Sequence, residues 1–205
     1  MGFDPPGSHG YRREMAAARA PLAGVVLAGG SGSRLGRPKA TVVVRGRTLA
    51  ERAVELLAAR CDPVIVVSRA DVPLPALDVA VVFDRRGVRG PMNALATGLA
   101  AVDTDDVLVL ACDLPFTGPV LDRLLAAPRG RAVAARDERL QPLCARYPRE
   151  ETLEACRKLA AQGVRRMTSL LLTLDARSIE ARDDELFNVN TPEDLEAARL
   201  RPPDA

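Results

Sequence analysis

The segment GVVLAGGSGSRLGRPKA, Gly24 to Ala40, carries an apolar run into four glycines and two serines, and then into Arg34 and Lys39. Of the 29 lysines and arginines only Lys39 and Lys158 are lysine, so a lysine at the end of a glycine loop is a choice against the habit of the chain. The chemistry these types suggest is phosphate handling. Glycines let backbone N–H groups approach an anion closely. Arg34 offers a planar fork to phosphate oxygens, and Lys39 a compact charge on a flexible stem that can follow a phosphate whose geometry changes. The spacing fits neither common phosphate loop. In G-x-G-x-x-G, read from Gly30 and Gly32, the third glycine falls on Leu35; in G-x-x-x-x-G-K, Gly36 is followed by Arg37 and Pro38 before Lys39 arrives. A second stretch, VLVLACDLPF, ends an apolar run on Asp113. One carboxylate beside a polyphosphate is how Mg²⁺ is commonly held, which makes Asp113 the candidate metal ligand, with Asp84 behind it. Asp113 also stands where it could cap a helix ahead of Pro115.

These residues need a frame that brings them together. AGVVLA, PVIVVS, VAVVFD, DVLVLACD and RAVAA read as short buried strands. TLAERAVELLAARC, GPMNALATGLAAV and GPVLDRLLAA alternate with them as helices, the pattern of a parallel sheet covered on both faces. LQPLCARY alternates and suits an antiparallel addition. REETLEACRKLAAQG and RRMTSLLLTL read as helices and ARSIEA as an edge strand. TPEDLEAARL opens with Thr191 as N-cap, Pro192 in the first turn and acids after it. In such open sheets ligands bind beyond the carboxyl ends of the strands, and those ends carry the glycine loop, Ser68, Asp84 and Asp113.

The expectation is one α/β domain over residues 22–201, preceded by a tail, residues 1–21, without a hydrophobic period. The hydrophobic fraction is 47% with 3% aromatics, so the core must be aliphatic. A formal charge of +2 with few aromatics argues against nucleic acid and membrane surfaces as partners. No run approaches a membrane span. Cys61, Cys112, Cys144 and Cys156 are widely spaced, as in a cytoplasmic protein with reduced thiols. The single histidine, His9, lies in the tail, which argues against a Ser-His-Asp site and structural zinc.

The loop LAGGSGSRLGRPKA resembles the LAGGxSxRMGxxK loop of nucleotidyltransferases with a Rossmann-like, glycosyltransferase-A-type fold, and ACDLPF resembles their metal-binding aspartate motif. LQPLCARY and FNVNTPEDL narrow the likeness to the molybdenum cofactor guanylyltransferase family. The resemblance implies a three-layer sandwich that transfers GMP from GTP to the phosphate of molybdopterin, with Mg²⁺ as cofactor. It implies as further partners other proteins of molybdenum cofactor biosynthesis or the recipient molybdoenzymes. By that likeness Leu27, Ala28, Gly29 and Gly30 line the base and phosphates, Arg34 and Lys39 hold the triphosphate, and Ser68 and Asp84 lie near base and ribose. Asp113 binds the metal, while Gly90, Arg165, Arg166, Asn188 and Asn190 face the acceptor. The two asparagines also allow a structural reading, as local backbone partners ahead of Thr191. Three departures from the family pattern are Pro38 for an aspartate, Ser68 for an asparagine and Ala94 for a glycine. The last two touch the pocket that reads the base, so a related transferase using CTP or another phosphorylated acceptor is the alternative.

Overall fold

The computed structural model describes residues 22–84 and 90–201; the expected tail lies outside them. Seven strands form one sheet in the order β5-β4-β1-β6-β8-β7-β9. They are β1 (Leu22–Leu27), β4 (Val64–Ser68), β5 (Ala80–Phe83), β6 (Asp106–Ala111), β7 (Val133–Arg136), β8 (Leu140–Pro148) and β9 (Arg177–Glu180). All run parallel except β8, which lies antiparallel between β6 and β7. The alternating LQPLCARY segment therefore sits inside the sheet, and ARSIEA takes the edge as β9. A two-stranded hairpin, β2 (Val43–Val44) and β3 (Arg47–Thr48), was not foreseen from sequence. Its turn puts Arg45 (φ 52°) and Gly46 (φ 79°) in the left-handed region, and an arginine there is an unusual signal for such a turn.

Helices cover both faces. On one, α2 (Pro91–Ala100), α4 (Arg149–Ala161) and α5 (Met167–Thr173) pack Met92, Leu95, Leu99, Leu159 and Leu170 against Val25, Val67, Val107 and Val109. On the other, α1 (Leu49–Ala58) and α3 (Gly118–Ala126) pack Ala53, Leu57, Leu121 and Leu124 against Val26, Val66, Leu108 and Leu110. The alternation of odd and even strand residues between the two sets is the pleat at work. Unbroken burial of β1 and β6 follows from helices on both sides. At Gly98 an added Cβ would meet Val25 Cγ1 at 2.6 Å, so glycine lets α2 lie close on β1.

The last helix, α6 (Pro192–Leu200), starts as the sequence foretells: Thr191 is the N-cap and forms a capping box with Asp194. It packs with the hairpin in a third small core of Val42, Val44, Leu49, Phe116, Val189 and Ala198. Arg201 closes that core, its guanidinium 4.0 Å from the centre of the Phe187 ring and 5.1 Å from that of Phe116. Among the described residues no helix is long and apolar enough to cross a membrane.

Candidate active site

The carboxyl ends of four parallel strands meet along one edge. Ala28 donates its N–H to the Val67 carbonyl at 2.8 Å, Asp84 to Ser68 at 2.8 Å, and Cys112 to Leu27 at 3.1 Å. These bonds draw the ends of β1, β4, β5 and β6 into a single rim. The glycine loop then folds back over it. Gly32 adopts φ 60°, and a Cβ there would meet the Arg37 carbonyl oxygen at 2.0 Å, so only glycine permits the return. Two 3₁₀ turns, Ser33–Leu35 and Lys39–Thr41, complete it. That return explains the late lysine: Lys39 is brought back beside Gly30 instead of following the glycines directly. At Gly30 itself a Cβ would meet nothing closer than Lys39 Cδ, at 3.5 Å. Protein packing does not demand glycine there; a side chain would take space in the cavity.

That cavity has a volume of about 360 Å³. Leu27, Gly29, Gly30, Lys39, Ser68, Asp84, Gly90 and Asp113 all line it. Ala28 is buried behind the wall, and its carbonyl accepts from Ser68 Oγ at 3.4 Å. A second cavity, of about 250 Å³, shares Gly30, Ser31 and Lys39 with the first and adds Arg34 and Asn190. Lys39 thus stands at the junction of two compartments. Its ammonium donates to Asp113 Oδ2 at 2.5 Å and to Asn190 Oδ1. Both ends of the ion pair are largely enclosed, with side chains 19% and 17% exposed for Lys39 and Asp113, so solvent screens it less than a surface pair.

Asp113 is not a helix cap: α3 begins at Gly118, with Thr117 at its N-cap. Its carboxylate is turned to the cavity. Asp84 is held by two residues of α2, Asn93 Nδ2 and Thr97 Oγ1, both donating to Oδ1, the latter at 3.1 Å. These two escaped the sequence reading, although their spacing of four on a helix places them on one face. Arg69 also lines the cavity and is bonded to Asp71 at 2.9 and 2.6 Å; nothing in the sequence marks it.

The expected acceptor residues divide. Gly90 and Asn190 reach the cavities. Asn188 donates its amide to the Leu186 carbonyl at 3.2 Å, and Arg165 and Arg166 lie exposed on the α4–α5 link, outside both linings. The link is nevertheless on the working side. Arg149 at the start of α4 donates to the Leu99 carbonyl at the end of α2, at 3.1 Å. The two helices therefore run in opposite directions, and the end of α4 points toward the rim where Gly90 opens α2.

Burial sets the local acidity. It pushes the Cys112 thiol, beside Asp113, up to about 12. For Asp194, burial works toward a higher value, but N–H groups of Asn190 and Thr191 and the charge of Arg34 outweigh it and hold the carboxyl below the usual aspartate range. Asp113 supplies hard oxygen ligands, which suit Mg²⁺. Among the described residues no three His, Cys, Asp or Glu side chains gather as a metal cluster. The fit is that of a cation held by one carboxylate together with substrate phosphates.

Parallel strand ends that present a glycine cradle, a lysine and the carboxylates of Asp84 and Asp113 to one open cavity are the arrangement expected of a nucleotidyltransferase. Residues 24–177 match the MobA-like NTP transferase domain. A probable molybdenum cofactor guanylyltransferase of Mycobacterium marinum is 37% identical over 186 residues, covering 86% of this chain and 92% of the relative. One of the same description from Mycobacterium bovis is 38% identical over 197 residues, covering 90% and 96%. The crystal structure of molybdopterin-guanine dinucleotide biosynthesis protein A from Archaeoglobus fulgidus matches with a TM-score of 0.70 at 22% identity, covering 86% and 96%. That of 4-diphosphocytidyl-2C-methyl-D-erythritol synthase from Anaerococcus prevotii matches at 0.69 and 17%, covering 88% and 95%; these two likenesses concern the fold alone. The chain belongs to the MobA-like NTP transferase family, with the molybdenum cofactor guanylyltransferases as its relatives.

Proposed function

We propose that the chain transfers GMP from GTP to the terminal phosphate of molybdopterin, releasing pyrophosphate and forming the guanine dinucleotide of the molybdenum cofactor. The observation that carries this reading is Lys39, held between Asp113 and Asn190 where the two cavities join. The base and ribose occupy the larger cavity, against Ser68 and Asp84. The phosphates run along Gly29 and Gly30 toward Lys39 and Arg34. An oxygen of the acceptor phosphate attacks the α-phosphorus in line, the bond to the β-phosphate oxygen breaks, and the electron pair leaves with pyrophosphate. The acceptor phosphate is already an anion at neutral pH, so no residue must remove a proton. The buried Cys112 thiol stays protonated and takes no part. Lys39 and Arg34 offset the charge that builds on the leaving group, and the loop fixes its orientation. A divalent cation, proposed as Mg²⁺ on Asp113, supplies further charge neutralisation when bound. Gly90, Asn188, Asn190, Arg165 and Arg166 form the acceptor side, with the two arginines facing acidic groups of the pterin from the α4–α5 link. Incubation with each of the four NTPs, Mg²⁺ and molybdopterin, followed by mass analysis, tests the proposal. Guanylylated product is expected. Cytidylylated product would transfer the assignment to the CTP-using alternative, to which the Ser68 and Ala94 departures point.

A further inference from the structure

We propose that Asp194 is a positioning residue for Lys39, acting through Asn190. An ordinary capping box asks the third residue of a helix to accept one N–H, that of the N-cap. Asp194 accepts two: Thr191 N–H at 2.9 Å and, one residue further out, Asn190 N–H at 2.9 Å. The second bond does nothing for the helix end. It fixes the backbone of the residue whose side-chain oxygen takes the Lys39 ammonium. On its other side the same segment is tied to the site, since Val189 donates to the Asp113 carbonyl at 2.9 Å, and Asp113 Oδ2 is the other partner of Lys39. The 3₁₀ turn at Lys39–Thr41 fixes the lysine backbone only; the four-carbon stem is free to change rotamer. The place of the ammonium is therefore set by Asp113 and Asn190, and Asn190 is held in turn by Asp194. The bearing on catalysis rests on the reading of Lys39 as the phosphate-binding lysine.

Having only two lysines makes this measurable without any turnover. Lys158 lies exposed on α4 and serves as internal reference. The full chain, free of nucleotide, is treated with acetic anhydride, and the acetylation rates of Lys39 and Lys158 are compared by peptide mass analysis. In Asp194→Ala the Lys39 to Lys158 ratio is expected to rise by about threefold to tenfold, the scale of one ordinary intramolecular hydrogen bond. The kcat for GMP transfer is expected to fall by about ten- to a hundredfold with GTP KM little changed, as for a displaced catalytic group. Asp194→Asn, which keeps an acceptor oxygen, restores both toward wild type. Thr191→Ala removes the hydroxyl that accepts from Asp194 N–H and so weakens the cap. It leaves the Asn190 bond in place and is expected to lower Tm without moving the ratio or kcat. Asp194→Ala with a wild-type ratio, or Thr191→Ala raising the ratio as far, would overturn the proposal and leave Asp194 a cap. Asn190→Ala, in which the cap is whole, must raise the ratio as well; an unchanged ratio there overturns the link even where Asp194→Ala does not fold. If no NTP is consumed while the ratio responds as described, the proposed reaction fails and the positioning stands.

Discussion

Replacing Lys39 by arginine tests whether the loop needs an ammonium or merely a positive charge. Laid along the lysine stem, arginine puts its guanidinium carbon where Nζ now stands, 2.5 Å from Asp113 Oδ2. Its terminal nitrogens extend a further C–N bond, about 1.3 Å. Neither fits, because Asp113 and Asn190 close on the site from two sides. The side chain must withdraw or swing by about 1 Å, and a misplacement of that size costs roughly a hundredfold in rate. The formal charge is kept and Asp113 retains a cationic donor, so the change in fold stability should stay near that of one hydrogen bond, about 1 kcal/mol. GTP should still bind, since the glycine cradle and Arg34 are untouched. The assay is steady-state transfer from GTP to molybdopterin, with calorimetric GTP affinity and Tm on the same preparation. The expected result is a collapse of kcat with binding and melting preserved. Near-wild-type kcat would refute the argument and leave Lys39 as one more cation in an arginine-rich chain.

Asp113→Asn should lower metal-dependent turnover by about 10²–10³ in kcat, the scale of losing one preorganised electrostatic group, with an unchanged circular dichroism spectrum; retained turnover would remove Asp113 from the reaction. Gly98→Ala should destabilise the fold by about 1–3 kcal/mol in urea titration, because the new methyl lies 2.6 Å from Val25 Cγ1 and 3.1 Å from Val67 Cγ2. Equal or higher stability would show that α2 can slide on the sheet. For Glu185, burial works toward a higher pKa, but hydrogen bonds from Arg123 and from the Arg182 N–H outweigh it and hold the value below the ordinary 4.5. Its contribution to stability is thus fully present above 4.5 and is lost as pH falls through the lower folded value. Glu185→Gln should narrow the stability gap from wild type as pH drops through that range, measured by denaturation at several pH values; a gap that does not depend on pH would contradict the assignment.

Much of this was legible in the chain. Unbroken apolar runs bounded by turn residues gave β1, β4 and β6, because a parallel sheet sheathed on both faces leaves no polar side to a strand. Capping chemistry gave the start of α6 to the residue, since Thr191, Pro192 and Asp194 each serve a local need. The strand ends gave Ser68, Asp84 and Asp113, because topology sends every parallel strand to the same rim. What escaped has a common cause. Arg69, and the bond from Lys39 to Asn190 across 151 positions of chain, depend on how separate elements meet, and no local pattern encodes that. The hairpin was missed because Arg45 accepts a left-handed backbone without the usual asparagine or glycine. The double use of Asp194 was hidden behind its ordinary role, since a capping box looks the same in sequence whether it accepts one N–H or two.

The reversed strand β8 has a consequence for how such a molecule can vary. In strict strand–helix alternation each unit contributes one loop to the working rim, and the return from helix to strand falls on the opposite rim. Because β8 descends, α4 starts at the far rim, where Arg149 donates its N–H to the Asp105 carbonyl at 2.8 Å. Its 13 residues climb about 20 Å, roughly the span of the six-residue β6. The link from α4 to α5 is thereby delivered to the working rim as an extra loop that belongs to no parallel strand. Lengthening, shortening or recharging that link alters what the rim meets on one side and leaves the register of β1, β4 and β6 beneath the glycine cradle untouched. One half of the rim can then diversify while the other half is held constant.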